Sequence, residues 1–345
     1  MTAEQRQIVD SVAGYLTENL PVERLRPNAG TFADEAALWP EMAGLGWFML
    51  ALPEKHGGLG LTATEEALVF REFGRHLLGP RALATVIAAR VAAAADDSAM
   101  AQAIASGEIR AALANPVNDP QVGAAVSGHF HVFDGSGADV LVVVAEDGRA
   151  ALVERAAIPG IRLGQSAVDG IVLEVAALAG VPALAHVGPE AGGHVVLRLL
   201  GAAILSGICE GTRDLATEYA KVREQFGRPI GAFQAIKHKC SDMVVRADAA
   251  VNLVNFAAVS VAGKHCDAEY QATAAKLLAG RYALLSAKET IQVHGGMGFT
   301  IECNAHHFFK RAHLYDLVGG NTYRQQQLLM ADALVDAVPA LEAAE

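Results

Sequence analysis

Apolar residues recur at helical spacing over Glu4–Asn19, Glu35–Gly44 and Thr64–Leu77, which predicts helices in the first third of the chain. The glycine-rich stretch Pro53–Leu61 punctuates them as a loop. Ala82–Ala114 is alanine-rich and also reads as helical, interrupted at Asp96–Asp97. The texture changes at Asn115-Pro116-Val117-Asn118-Asp119-Pro120. Short valine-rich runs follow at His129–Phe133, Asp139–Ala145, Ala150–Glu154 and Gly170–Val175, separated by glycine, proline and aspartate turns, and these predict strands. From about Glu190 the helical period returns, over 190–222, 232–264, 267–293, 303–318 and 322–337. The expected fold is mostly α with a small β domain. It divides into an N-terminal helical domain (1–112), a short middle β domain (113–188) and a C-terminal helical bundle (189–345), with a frayed tail at Glu342–Glu345.

At 345 residues and 52% hydrophobic, the chain is long enough to bury a sizeable core. Its net charge of −11 argues against a nucleic-acid partner, which requires a basic face. No basic tract is present to hold an anionic membrane surface. The apolar segments are broken by charges or glycine, so no membrane insertion is expected. Cys209, Cys240, Cys266 and Cys303 are widely spaced with no CxxC pair, which predicts reduced thiols rather than a disulfide framework or a zinc site. Met1-Thr2-Ala3-Glu4-Gln5 has polar and acidic residues where a signal peptide needs an apolar run. A cytoplasmic protein is expected.

Two loops carry the candidate chemistry. Arg223-Glu224-Gln225-Phe226-Gly227-Arg228-Pro229-Ile230-Gly231-Ala232-Phe233-Gln234 lies between two helical patterns and opens the second. A guanidinium, an aromatic ring, glycines and an amide converge there beside helix-start N–H groups, which suits a diphosphate and an adenine-like ring. The second loop is Gln292-Val293-His294-Gly295-Gly296-Met297-Gly298-Phe299. Read from the residues alone, Arg223 could instead form an ion pair with Glu224 or Glu218. Phe226 and Gln234 could serve packing and helix capping, and the glycines a tight turn.

In order and on helix ends, the two loops resemble those of acyl-CoA dehydrogenases, a family of FAD flavoenzymes. Trp39–Trp47, Leu52–Gly60, Gly135–Val143 and Ile158–Ile161 extend the resemblance over nearly the whole chain. It implies a tetramer in which one subunit's C-terminal bundle reaches its neighbour's FAD. Arg223 would then pair with the pyrophosphate and Phe226 would pack near the adenosine half. Gln292, Gly295 and Gly296 would hold the adenine and diphosphate side, and Gln234 is a further candidate. The implied reaction is α,β-dehydrogenation of an acyl-CoA thioester, in which a glutamate takes the α-proton and the flavin the β-hydride. Electron-transfer flavoprotein is the expected acceptor.

The chain departs from the family pattern at the base. In Tyr315-Asp316-Leu317-Val318-Gly319-Gly320-Asn321-Thr322, Gly319 stands where most members have the glutamate. The alternative position, just before an arginine on an earlier helix, is Leu197, followed by Arg198 on the substrate side. Ala114–Asp119 is a remnant of the family's flavin-gripping turn. Trp39 and Trp47, the only tryptophans, both precede the sheet region, so the tryptophan expected beside the isoalloxazine is missing. Asn321 and Tyr323 replace the threonine and glutamine that touch the subunit's own flavin.

What is lost would serve this subunit's own flavin ring and the proton chemistry. What is kept would hold the far end of a neighbour's FAD. This sorting points to the smaller, base-lacking subunit of a heteromeric acyl-CoA dehydrogenase, with a homologous partner supplying the glutamate. The alternatives are a self-sufficient homomeric flavoenzyme with oxidase or monooxygenase chemistry, or a non-catalytic structural homologue. Asp316 and Glu302 are weighed as substitute bases: Asp316 is expected to point elsewhere, and Glu302 to act as a helix N-terminal charge. Glu210 is expected on a solvated face or in an ion pair with Arg213 or the basic neighbours of Asp214. His306, His307 and His313 lack the i, i+3 or i+4 spacing of helical metal ligands and read as packing or surface histidines, so no metal is expected.

Overall fold

The computed structural model describes residues 1–345 except 28–31, 33, 159–161 and 332–345, and the backbone alone of 162–168. Five helices come first: α1 (Ala3–Asn19), α2 (Glu35–Gly44), α3 (Ala63–Arg75), α4 (Arg81–Ala94) and α5 (Ser98–Ala105). Their starts are set by side-chain caps. Thr2 accepts from the Gln5 N–H while the Gln5 side chain accepts from the Thr2 N–H, a reciprocal cap that α3 repeats with Thr62 and Glu65. Asp97 caps α5 by accepting from the Met100 N–H at 2.9 Å. Trp39 stacks on Phe48 at 4.5 Å and Trp47 tilts against Phe73 at 5.7 Å, so both indoles are core residues of this helical region.

Among the described residues six strands follow: β1 (Ala111–Pro116), β2 (Ala125–Phe133), β3 (Val140–Val144), β4 (Ala150–Glu154), β5 (Arg162–Val168) and β6 (Ile171–Val187). The order is β2-β1-β3-β4-β6-β5, and β2 also pairs with β6, so five strands close into a small barrel with β5 outside it. Alternation explains the packing. Leu141 and Val143 of β3 face a core inside the barrel with Phe130 and Val126, whereas Val140, Val142 and Val144 join the main helical core.

The structure corrects the sequence reading here. Ala111–Ala114 is strand, not helix, because α5 ends at Ala105, Gly107 (φ +79°) turns the chain, and the following alanines pair with β2 and β3 while buried on both faces. Tertiary pairing overrides alanine's helical propensity. β5 was not anticipated, and β6 continues well past Val175, since it must pair with β2, β4 and β5 in turn. Pro159–Ile161 of the quoted Ile158–Ile161 motif, and the tail Glu342–Glu345, lie outside the described residues.

The C-terminal part holds α6 (Gly193–Val222), a short hairpin β7–β8 (Glu224–Gln225, Arg228–Pro229), α7 (Gln234–Ala262), α8 (Ala268–His294) and α9 (Ala305–Leu317). Residues 322–331 are again helical; the remainder of the expected 322–337 helix falls outside the described residues. α6 is the hub. Its backbone meets α3 so closely that a Cβ on Gly74 would lie 2.0 Å from the Ile204 carbonyl oxygen, and one on Gly207 would lie 1.9 Å from that of Arg71. Contrary to the expectation from broken apolar runs, two helical segments among the described residues are long and apolar enough to cross a membrane, Pro189–Val222 and Gln234–Ala262. For the first, hub position is the reason, since 89% of its apolar window is buried in the fold; for the second only 33% is. α7 therefore presents an exposed apolar face including Val245, Phe256 and Val259.

Candidate active site

A cleft of about 540 Å³ opens where the barrel meets the bundle. The end of β1 and the turn beyond it (Asn115–Pro120), the end of β3 and the turn beyond it (Val144–Glu146), the first turns of α6 and the turn after α9 line it. Gly319 and Gly320 make that turn with φ of +68° and +96°, a left-handed backbone that favours glycine. It is held from several sides: the Gly319 N–H donates to the Asn115 side chain at 3.0 Å, and Gln325 donates to the Gly319 carbonyl at 2.8 Å. The buried Lys276 ammonium on α8 donates to the Asp316 carbonyl at 3.0 Å. Burial pushes that amine down to about 8.

Leu197 and Gly319, nominated as the two places for a base, are 122 residues apart in sequence and adjacent in space. A Cβ on Gly319 would stand 3.4 Å from Leu197 Cγ, so a side chain at either position would reach the same part of the cleft. Neither carries a proton acceptor. Arg198 is buried, but its guanidinium is engaged. It donates to Glu269 on α8 at 3.0 Å, and His194, one helical turn earlier, lies 3.0 Å from the same oxygen. Sequence reading missed Glu269; the i, i+4 pair His194 and Arg198 is the signal that could have found an acidic partner. His194, helped by Arg198, holds the Glu269 carboxyl down to about 2, which makes it a poor base.

Asp316 turns away from the cleft and accepts from the Thr322 N–H at 3.1 Å and its hydroxyl at 2.6 Å, capping the next helix. Glu302 is exposed just ahead of the Asn304 cap of α9. Glu210 lies 3.5 Å from Arg71 and 3.6 Å from Arg75 on α3, and Arg75 is also the basic neighbour of Asp214 at 3.1 Å, so the expected ion pair forms across the helix interface. Of the three histidines, His313 is exposed and packs edge-on against Phe309 at 4.6 Å, while His306 and His307 approach Asp169.

The two glycine loops come together through one apolar cluster. Ile230 of the first and Val293 of the second pack with Ala216, Ala220 and Met243, and Tyr219 stacks on His294 at 4.1 Å. Above this floor the candidate groups face outward. Arg223, Phe226, Gln234, Gln292, Gly295 and Gly296 are all exposed. Phe226 is 92% exposed with a left-handed φ of +54°, unusual for an aromatic residue, and stands 6.0 Å from Phe233. Arg228 lies over the Phe233 ring at 4.3 Å. Among the described residues Arg223 makes no ion pair; Glu218 is taken by Lys221 at 2.6 Å.

The model of the acyl-CoA dehydrogenase N-terminal domain matches residues 2–108, and that of the C-terminal domain matches 195–334. Acyl-CoA dehydrogenase IpdE2 of Mycobacterium tuberculosis is 32% identical over 322 residues, covering 90% of this chain and 91% of its own length. This chain belongs to the acyl-CoA dehydrogenase family. Acyl-CoA dehydrogenase FadE34 of the same organism is 34% identical over 282 residues, 79% of this chain, but the match spans only 38% of FadE34. Among solved structures, a variant of the Tcur3481–Tcur3483 steroid ACAD superposes with a TM-score of 0.83 at 27% identity, covering 97% of this chain and 99% of that one. A chain of the ChsE4–ChsE5 complex from Mycobacterium tuberculosis gives 0.83 at 24% identity over 97% and 98%, a likeness of fold.

Set against the FAD of acyl-CoA dehydrogenases, the residues divide. An exposed arginine with no ion pair among the described residues, an outward-facing aromatic ring and an exposed amide on one apolar floor fit the adenosine diphosphate half. The cleft fits the reacting half poorly, since it is lined by neither a tryptophan nor a carboxylate at position 197 or 319.

Proposed function

We propose that this chain is the base-lacking subunit of a heteromeric acyl-CoA dehydrogenase, working beside a homologous partner. The observation that carries this reading is the contact between Leu197 and Gly319. One point in the cleft is served by two chain positions, and both lack a carboxylate. When bound, FAD accepts the β-hydride of the acyl-CoA thioester. This chain's part is to bind rather than to move protons. Arg223 pairs with the pyrophosphate, Phe226 covers the adenosine side, and Gln292 with the Gly295–Gly296 backbone completes the grip; Gln234 stands at the start of α7 beside it. The partner supplies the glutamate and the flavin-ring pocket.

The exposed apolar face of α7 supports assembly, since such a face calls for cover by another subunit. A bulky acyl group, such as a steroid side chain, is the proposed substrate class; it is supported by the steroid ACAD among the similar structures. Electron-transfer flavoprotein is the proposed acceptor, and the cytoplasm the proposed compartment, in keeping with four free cysteines.

A flavin absorbance spectrum of the chain alone, and of the chain co-purified with its homologous partner, tests this. Flavin only in the complex, at one per two chains, is expected. One flavin per chain in the isolated protein, with dehydrogenase activity, would overturn the shared site.

A further inference from the structure

A second cluster of chemistry lies outside the cleft, at the contact between the β5–β6 turn and α9. Asp169 occupies that turn with a left-handed φ of +46°, and its side chain is only 3% exposed. It faces two consecutive histidines of α9. His307 is 2% exposed, His306 is half-buried, and their rings are 4.0 Å apart. One ligand-type atom from each of the three side chains lies within 4.8 Å of the others.

Asp169 Oδ2, His306 Nδ1 and both ring nitrogens of His307 are buried without a hydrogen-bond partner among the described residues. His307 Nδ1 and Asp169 Oδ2 are 2.9 Å apart but are not aligned as a hydrogen bond. Buried lone pairs left unpaired are costly, so four of them at one place require an explanation. A single shared proton could satisfy only one pair.

We propose that Asp169, His306 and His307 form a binding site for a divalent transition metal of the zinc class. Two imidazoles and one carboxylate are borderline ligands that suit zinc or cobalt rather than the all-oxygen shells of calcium and magnesium. Ligand atoms around a tetrahedral zinc stand about 3.3 Å apart, so binding draws the widest separation inward. Lys310 donates to Asp169 Oδ1 at 2.8 Å, leaving Oδ2 for the metal. The ammonium orients the carboxylate but repels the ion, which sets a moderate affinity; the fourth position is left to water. The site would fasten the sheet to α9, whose C-terminal end leads into the Gly319–Gly320 turn.

The test is uptake of Co²⁺ by the full chain after chelator treatment, followed by its visible d–d absorption and by native mass spectrometry. One Co²⁺ per chain with four-coordinate bands is expected. Asp169→Asn, which keeps a residue tolerant of left-handed backbone, and His306→Ala should each weaken binding ~10-fold or more. Lys310→Ala should tighten it. Because His307 is core-buried, His307→Ala is read only alongside a circular dichroism spectrum matching wild type. Zn²⁺ should raise the melting temperature of the wild type and not of Asp169→Asn. No uptake, or equal uptake by wild type, Asp169→Asn and His306→Ala, would overturn the site, the latter by showing an adventitious ion only.

Discussion

A Cβ placed on Gly319 would lie 3.4 Å from Cγ of Leu197, so the turn after α9 and the first turns of α6 address one point in the cleft. An acceptor from either element could serve there, and this chain has neither. Gly319→Ala then separates structure from chemistry. The added methyl makes only ordinary contact with Leu197, but φ is +68°, so the backbone cost is roughly 1–2 kcal/mol. We expect a lower unfolding midpoint in urea and an unchanged kcat for the assembled complex. A large fall in kcat without loss of assembly would place this turn in the chemistry.

Arg223→Ala acts in the opposite sense. The side chain is exposed and makes no ion pair among the described residues, so the isolated chain should melt unchanged. A charge-assisted bond to a pyrophosphate contributes about 1.5–3 kcal/mol, which is ~10- to 100-fold in flavin affinity. Flavin retention by the complex during dialysis measures it. Full retention would remove Arg223 from the cofactor site.

Much of this arrangement was legible in the chain, for reasons that differ by element. α6 to α9 were bounded within a few residues because long amphipathic periods and the glycines at their ends leave little choice. β1 was not, since alanine fits both helix and strand and only its pairing with β2 and β3 decides. The glycine loops could be read because they are contiguous; that Ile230 and Val293 share one floor could not, since it depends on how α6, α7 and α8 pack. Glu269 and Asp169 were missed for the same reason. Each joins its partners across tens of residues or more; the His194 and Arg198 pair calls for an acidic partner, but nothing local says which carboxylate supplies it.

The α3–α6 crossing permits a sharper stability test. A Cβ on Gly74 would collide with the Ile204 carbonyl oxygen, and one on Gly207 with that of Arg71, both at or under 2.0 Å. Backbone cannot yield as a flexible side chain does, so the helices must separate. Gly74→Ala and Gly207→Ala should each cost ~3 kcal/mol or more by urea denaturation. The double variant should cost less than the sum, because one separation relieves both clashes. Strict additivity would mean that the two contacts relax independently.

Lys276 links stability to pH. Its amine is fully buried and pushed down to about 8 from 10.5, chiefly by burial, which the nearby Asp316 partly offsets. Between those values the unfolded chain holds the proton and the folded chain has released it, so folding is linked to proton release. The sign follows: this group's contribution rises with pH through that window, and its charged form is least favourable below pH 8. The full swing is on the order of 3 kcal/mol. Lys276→Met abolishes the titration and also removes the donors to the Asp316 and Gly320 carbonyls, a loss that does not depend on pH. Wild type should therefore gain on the variant as pH is raised from below 8 to above 10. Paired urea titrations at the two ends of the window measure this directly. A pH-independent difference would mean that the ammonium keeps an ordinary affinity for its proton, its charge being solvated by the two carbonyls that anchor the cleft turn.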